Sequence, residues 1–220
     1  MTIDMDDLLS SILSSMDRIS YIKTDEIPNI DLYMDQVTTL MDKKLKNASR
    51  YPGEDKILTK TMINNYAKNN LLPPPVKKKY SKEHVLILIF IYYYKGLLSI
   101  HDIQSILNPL TEEFFGNKDA YSLTDIYEKI VAVEANRVET FKQHIQETYE
   151  QSKAVFEDAP EENKEFLELF SFISTLSFDV YVKKLLIEKL IDGMNQKETE
   201  KKSDKKMDKK TDKKTGKNIP

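Results

Sequence analysis

A chain of 220 residues with 33 basic and 36 acidic side chains, formal net charge −3, is long enough for one sizeable core and a smaller helical region. It contains no cysteine, which excludes a disulfide framework, a thiolate zinc site and a cysteine nucleophile, and suits a reducing, cytoplasmic interior. The longest apolar run, VLILIFIYYY at 85–94, is about half of the ~20 residues needed to cross a bilayer, and the acidic start MTIDMDDLLSSIL lacks the features of a secretory signal.

Leu8, Leu9, Ile12, Leu13, Met16 and Ile19 recur at the spacing of one helical face and predict an amphipathic helix over 4–19, within an N-terminal unit 1–26. Residues 20–30 hold Pro28 and read as an extended connector. Asp31 is placed to cap a second helix with Val37, Leu40, Met41 and Leu45 inward, ending near Asn47. The Pro-Gly pair in SRYPGEDKI then marks a turn.

Thr59 stands where an N-cap belongs, before the polar helix TKTMINNYAKNN. Met62, Ile63, Tyr66 and Ala67 fall on its inner side, and Lys60, Thr61, Asn64, Asn65 and Lys68 on its outer side. Three prolines at 73–75 stop it, with Leu71 and Leu72 anchoring the exit. The next residues, VKKKY, suit a short projecting wing with Lys77, Lys78 and Lys79 outward. Ser81 opens the apolar run, and Lys95-Gly96 closes it. That length predicts a core helix rather than a strand. Ser99 and Asp102 form a capping box for a short helix to about Leu107, ended by Asn108-Pro109.

Charge is segregated along this stretch. From Lys56 to Lys95 there are eight lysines and one acid, Glu83, and 56–82 contains no acid at all. The remainder is acidic apart from a basic tail, so any contact with a polyanion belongs to this module.

The order of elements in LTKTMINNYAKNNLLPPPVKKKYSKEHVLILIFIYYYKGLLSIHDIQSIL resembles the DNA-binding domain of MerR-type regulators. With IPNIDLYMDQVTTLMDKKL included, it is most similar to an uncharacterised bacterial family of unknown function, DUF1836, predicted to be transcriptional regulators. The resemblance spans roughly 27–110 and implies a winged helix-turn-helix within a domain 27–115. It places Thr59 at the cap of the recognition helix, Thr61 and Asn64 where the family often has arginine, and Asn65 and Tyr66 at its paired aromatics. Both arginines are absent here, and the turn Ala48–Leu58 is longer than in MerR proteins. Asn64 and Asn65 remain suited to adenine edges, and Lys60, Lys68 and the wing lysines to phosphate.

Beyond Gly116, Ser122 and Asp125 open a long helix to about Phe156 with Leu123, Ile126, Ile130, Val133, Val138, Phe141, Ile145 and Tyr149 on one face. A turn at Asp158-Ala-Pro160 leads into a second helix to about Asp192, more apolar than one face requires. This hairpin, 120–194, is expected to carry a homodimer contact, as the MerR resemblance implies. The tail 195–220 repeats Asp-Lys-Lys three times and is expected to be disordered. His84, His101 and His144 are scattered, and no HExxH, GxSxG or glycine-rich phosphate loop occurs.

The expectation is therefore an all-α, MerR-like winged helix-turn-helix with a helical hairpin. It is read as a cytoplasmic, sequence-specific DNA-binding repressor without enzymatic activity, cofactor or metal, binding an inverted repeat as a homodimer. The competing expectation is a helical protein-interaction module that does not bind DNA, with its lysines merely solvating it.

Overall fold

The computed structural model describes residues 5–16, 22–46, 57–117 and 121–215, with side chains in the last helix described to residue 197. It is largely helical, with one two-stranded antiparallel pair. The helices are α1 (Met5–Met16), α2 (Met34–Leu45), α3 (Lys60–Lys68), α4 (Lys82–Tyr94), α5 (Ile100–Phe114), α6 (Leu123–Ala135), α7 (Val138–Ala154) and α8 (Glu161–Thr215). The strands are β1 (Leu32–Tyr33) and β2 (Lys79–Tyr80).

The apolar run forms α4, as its length demanded, and every residue from His84 to Ile91 is buried. A helix that is apolar all round must be enclosed all round. β2, α5 and α6 pack against it, and Val37 and Met41 of α2, Ile63 of α3, Ile103 and Leu107 of α5, Leu123 and Tyr127 of α6 and Ile191 of α8 share its core. The same core also takes in Ile22, so its residues run from Ile22 to Ile191.

A second, smaller core joins Leu9 of α1, Tyr149 of α7 and Phe172 of α8. Burial, together with the neighbouring Asp6 carboxylate, pushes the Tyr149 phenol up from its ordinary value. α1 thereby covers part of the hairpin that α7 and α8 form.

Several helix starts follow from their caps. Ser99 Oγ accepts from the Asp102 amide at 3.1 Å, and Ser122 Oγ from the Asp125 amide at 3.2 Å, with each aspartate accepting the serine amide in return. The Ser122 hydroxyl, donating to the Asp125 carboxylate at 2.6 Å, and after it the Ser122 amide hold the Asp125 carboxyl below its usual range.

Five expectations need correction. Residues 20–30 are not wholly extended, because Thr24–Glu26 form a 3-10 turn. Asp31 does not cap α2. Leu32 and Tyr33 pair with β2 first, and the Tyr33 amide donates to Gln36 Oε1 at 2.8 Å as the helix begins. Pro109 lies inside α5 rather than ending it; Leu107 is buried on one side of the proline, and Leu110 and Phe115 pack against the same core beyond it, so tertiary burial outweighs the missing backbone donor. The single helix expected over 122–156 is broken at Asn136 and Arg137 into α6 and α7.

The tail, expected to be disordered from 195, continues α8 to Thr215. Between Gly193 and Gly216 there is neither glycine nor proline, so nothing interrupts a helix whose propagation adds one hydrogen bond per residue. α2 ends at Leu45, close to the end expected near Asn47, whereas the Pro-Gly turn and residues 17–19 lie outside the described residues.

Candidate nucleic-acid interface

α3 is seated by its two ends. Ile57 and Leu58 before it are buried, and Lys95 at the end of α4 donates to the Ile57 carbonyl at 2.8 Å. Thr59 is the N-cap, its Oγ1 accepting from the Met62 amide at 3.1 Å. At the other end Asn70 takes a left-handed φ of 55°, and the Leu71 and Leu72 amides both return to the Tyr66 carbonyl. This is the closure that glycine or asparagine permits after a helix. Leu71 and Leu72 are each 1 % exposed, and Gln104 of α5 donates to the Asn69 carbonyl.

With Ile63 and Tyr66 fixed in the core, α3 turns Lys60, Thr61, Asn64, Asn65 and Lys68 to solvent. Tyr66, one of the candidate contact residues, is 7 % exposed, and burial pushes its phenol up. It packs the helix rather than presenting a ring outward.

The lysine triplet lies on a tight turn. The Val76 amide donates to the Lys79 carbonyl at 3.1 Å and the Lys79 amide donates back to the Val76 carbonyl at 3.0 Å. Lys77 and Lys78 between them have φ of 51° and 63°, the double left-handed geometry of a type I′ hairpin. Their side chains are exposed, while Lys79 is half-buried. The triplet does not stand alone, because β2 pairs with β1 in the register Leu32 to Tyr80 and Tyr33 to Lys79.

That pairing brings in two residues that the sequence did not single out. Tyr33 lies beneath the Lys79 ammonium, 5.2 Å from its ring centroid. Asp35, two residues on, forms an ion pair with Lys60 at the start of α3. A continuous path of contacts therefore joins the exposed helix to the lysine turn, through residues of α2 and β1. A strand of two residues has no periodicity to read, so nothing in the sequence marked Tyr33.

His84 lies behind β2. Its Nδ1 accepts from the Ser81 amide at 3.0 Å, its ring meets Tyr80 and Phe115 edge-on at 5.5 and 4.8 Å, and its buried Nε2 has no hydrogen-bond partner among the described residues. Burial pulls its pKa below 6.5, against the Pro73 and Pro74 carbonyls and the Asp31 charge. Among the described residues no group of three or more histidines and carboxylates is placed to hold a metal ion, and no helix is long and apolar enough to cross a membrane.

Residues 22–130 match a family model described as a domain of unknown function, DUF1836. No curated protein and no solved structure matches the chain.

Proposed function

We propose that this chain, which carries a DUF1836 domain, is a sequence-specific DNA-binding transcriptional regulator, a cytoplasmic repressor with no enzymatic activity. In this reading α2 and α3 are the helix-turn-helix of a MerR-like domain, α3 enters the major groove, and the Val76–Lys79 turn is the wing. One observation carries it: α3 presents Lys60, Thr61, Asn64, Asn65 and Lys68 together to solvent, and a turn tipped by Lys77 and Lys78 follows within a segment that contains no acid. Asn64 and Asn65 are suited to bidentate contacts with adenine edges, Thr61 to a base or phosphate, and the lysines to phosphate.

A homodimer completes the proposal and would favour an inverted repeat. Its support is on α8, where Phe166, Phe170, Ile173, Phe178 and Tyr181 are all more than half exposed. Ser174, Ser177, Phe178 and Tyr181 stand at i, i+3, i+4 and i+7, and with Ile173 they enclose an open depression of about 440 Å³. That is the four-residue hole into which a facing helix inserts a side chain. Four of the charged residues from 161 to 168 are glutamates, whereas three lysines and one glutamate lie from 183 to 190. Antiparallel pairing of two such helices about the serines brings the opposite charges together.

The experiment is enrichment of duplexes from a random library at near-physiological salt, by the intact protein and by Lys77→Ala/Lys78→Ala/Lys79→Ala. Recovery of an inverted repeat by the intact protein is the expected result. Failure of the folded protein to retain any duplex would leave the lysines as solvating groups and the chain as a helical protein-interaction module.

A further inference from the structure

The outer face of the β1–β2 ribbon differs in chemistry from the lysine turn beside it. Tyr33 is 54 % and Val76 68 % exposed. Tyr33 faces Lys79 across the ladder, and Val76 bridges to the same Lys79, so the three side chains leave the ribbon on one side. The opposite side, Leu32 and Tyr80, is buried at 5 and 3 %. A ribbon that met phosphate alone would need only cations and hydroxyls there. Instead a tyrosine ring and a valine stand in water beside three lysines, at a cost of about 25 cal/mol for each Å² of apolar surface left exposed.

The patch is too small for a stable protein partner, which covers about 800 Å² on each side. It does fit a nucleic-acid groove. The minor groove is about 6 Å wide, admitting a side-chain wedge but not a helix. Its walls are apolar deoxyribose rings edged by phosphates, which matches an apolar centre edged by lysines. At G·C pairs the guanine amino group projects into the groove, and at A·T pairs the floor is clear.

Resting on the DNA-binding reading above, we propose that Tyr33 and Val76 form a wedge that packs against deoxyribose and base edges in the minor groove, while Lys77 and Lys78 hold the flanking phosphates. The ribbon then contributes affinity that salt does not screen, and it favours A·T-rich flanks. Tyr33, outside the basic segment, becomes a DNA-contacting residue.

The chain contains no tryptophan, so Tyr33→Trp introduces a single reporter at this point. Titrated with duplex of alternating A·T sequence, its emission should be quenched and shielded from acrylamide, more than with alternating G·C duplex. Tyr33→Ser should bind the A·T duplex roughly fivefold or more weakly with the slope against salt unchanged, since apolar contact releases no counterions. Tyr33→Phe should restore binding, and a thermal melt should show all three variants folded. The proposal is overturned if Tyr33→Ser binds like the parent or if the tryptophan stays equally open to acrylamide at saturating duplex; the DNA-binding reading survives either outcome as long as binding remains salt-dependent. It is also overturned if Tyr33→Ser changes the mass in solution, which would reassign the patch to a protein contact. Absence of any duplex binding by the intact chain would instead remove the DNA-binding reading, and the wedge with it.

Discussion

Asp35, in the first turn of α2, holds the ammonium of Lys60, the first residue of α3. Both side chains are well exposed, so the pair adds little to stability, but it places a carboxylate against a lysine that the proposed function aims at phosphate. Asp35→Asn should free that lysine and tighten binding to any duplex by roughly two- to fivefold, with a steeper dependence on salt. Equilibrium titrations at several salt concentrations check this, and unchanged affinity would mean that Lys60 does not meet DNA.

The triple variant Lys77→Ala/Lys78→Ala/Lys79→Ala should weaken binding to all sequences alike. For every phosphate that a lysine no longer neutralises, the slope of log affinity against log salt should become shallower by about 0.9. Weakening confined to one sequence would instead make these lysines readers of bases.

Lysine is an uncommon choice for the left-handed backbone at 77 and 78, where asparagine followed by glycine is the favoured pair. Lys77→Asn/Lys78→Gly should therefore relieve the strain of two side chains with positive φ, about 1 kcal/mol or more in total, and raise the melting temperature. The same variant should bind duplex less well. Higher stability with weaker binding would identify the lysines as residues kept for charge at the expense of local backbone preference.

His84 predicts how stability varies with pH. Its proton is bound less tightly in the folded protein than in the unfolded chain, because burial pulls the folded pKa below 6.5. The unfolded state therefore holds more protons in the acidic window. Stability should be full above pH 6.5 and should fall as the pH drops below it toward the lower folded value. Glutamine retains an acceptor for the Ser81 amide and does not titrate, so His84→Gln should flatten this part of the profile, measured by denaturant unfolding at a series of pH values.

Phe178 is 69 % exposed at the edge of the α8 depression. Phe178→Glu should convert a dimer to a monomer in sedimentation and leave helix content unchanged. If the parent chain already sediments as a monomer, the α8 contact is not between copies of this protein.

Much of the architecture is legible in short-range chemistry. Thr59, Ser99 and Ser122 each cap the helix they precede, because a side-chain oxygen and a nearby amide meet within one turn. The outward set of α3 follows from placing Ile63 and Tyr66 inward. What escaped depends on partners distant in sequence. Leu32 and Tyr33 are strand residues only because Lys79 and Tyr80 lie beside them, and Pro109 stays helical because its neighbours are buried against α4. The ion pair of Asp35 with Lys60 joins the first turn of α2 to the first residue of α3, and no local pattern encodes it.

The hydroxyl of Tyr127 donates to the Ile22 carbonyl at 2.7 Å across 105 residues of chain, and Thr24 binds Glu128 beside it. These bonds fasten the first residues of the matched segment 22–130 to its last ones. On the ribosome the opening strap at Ile22 therefore emerges long before its anchor. It must wait, unattached, until α6 has been synthesised, and the segment closes only when its end arrives.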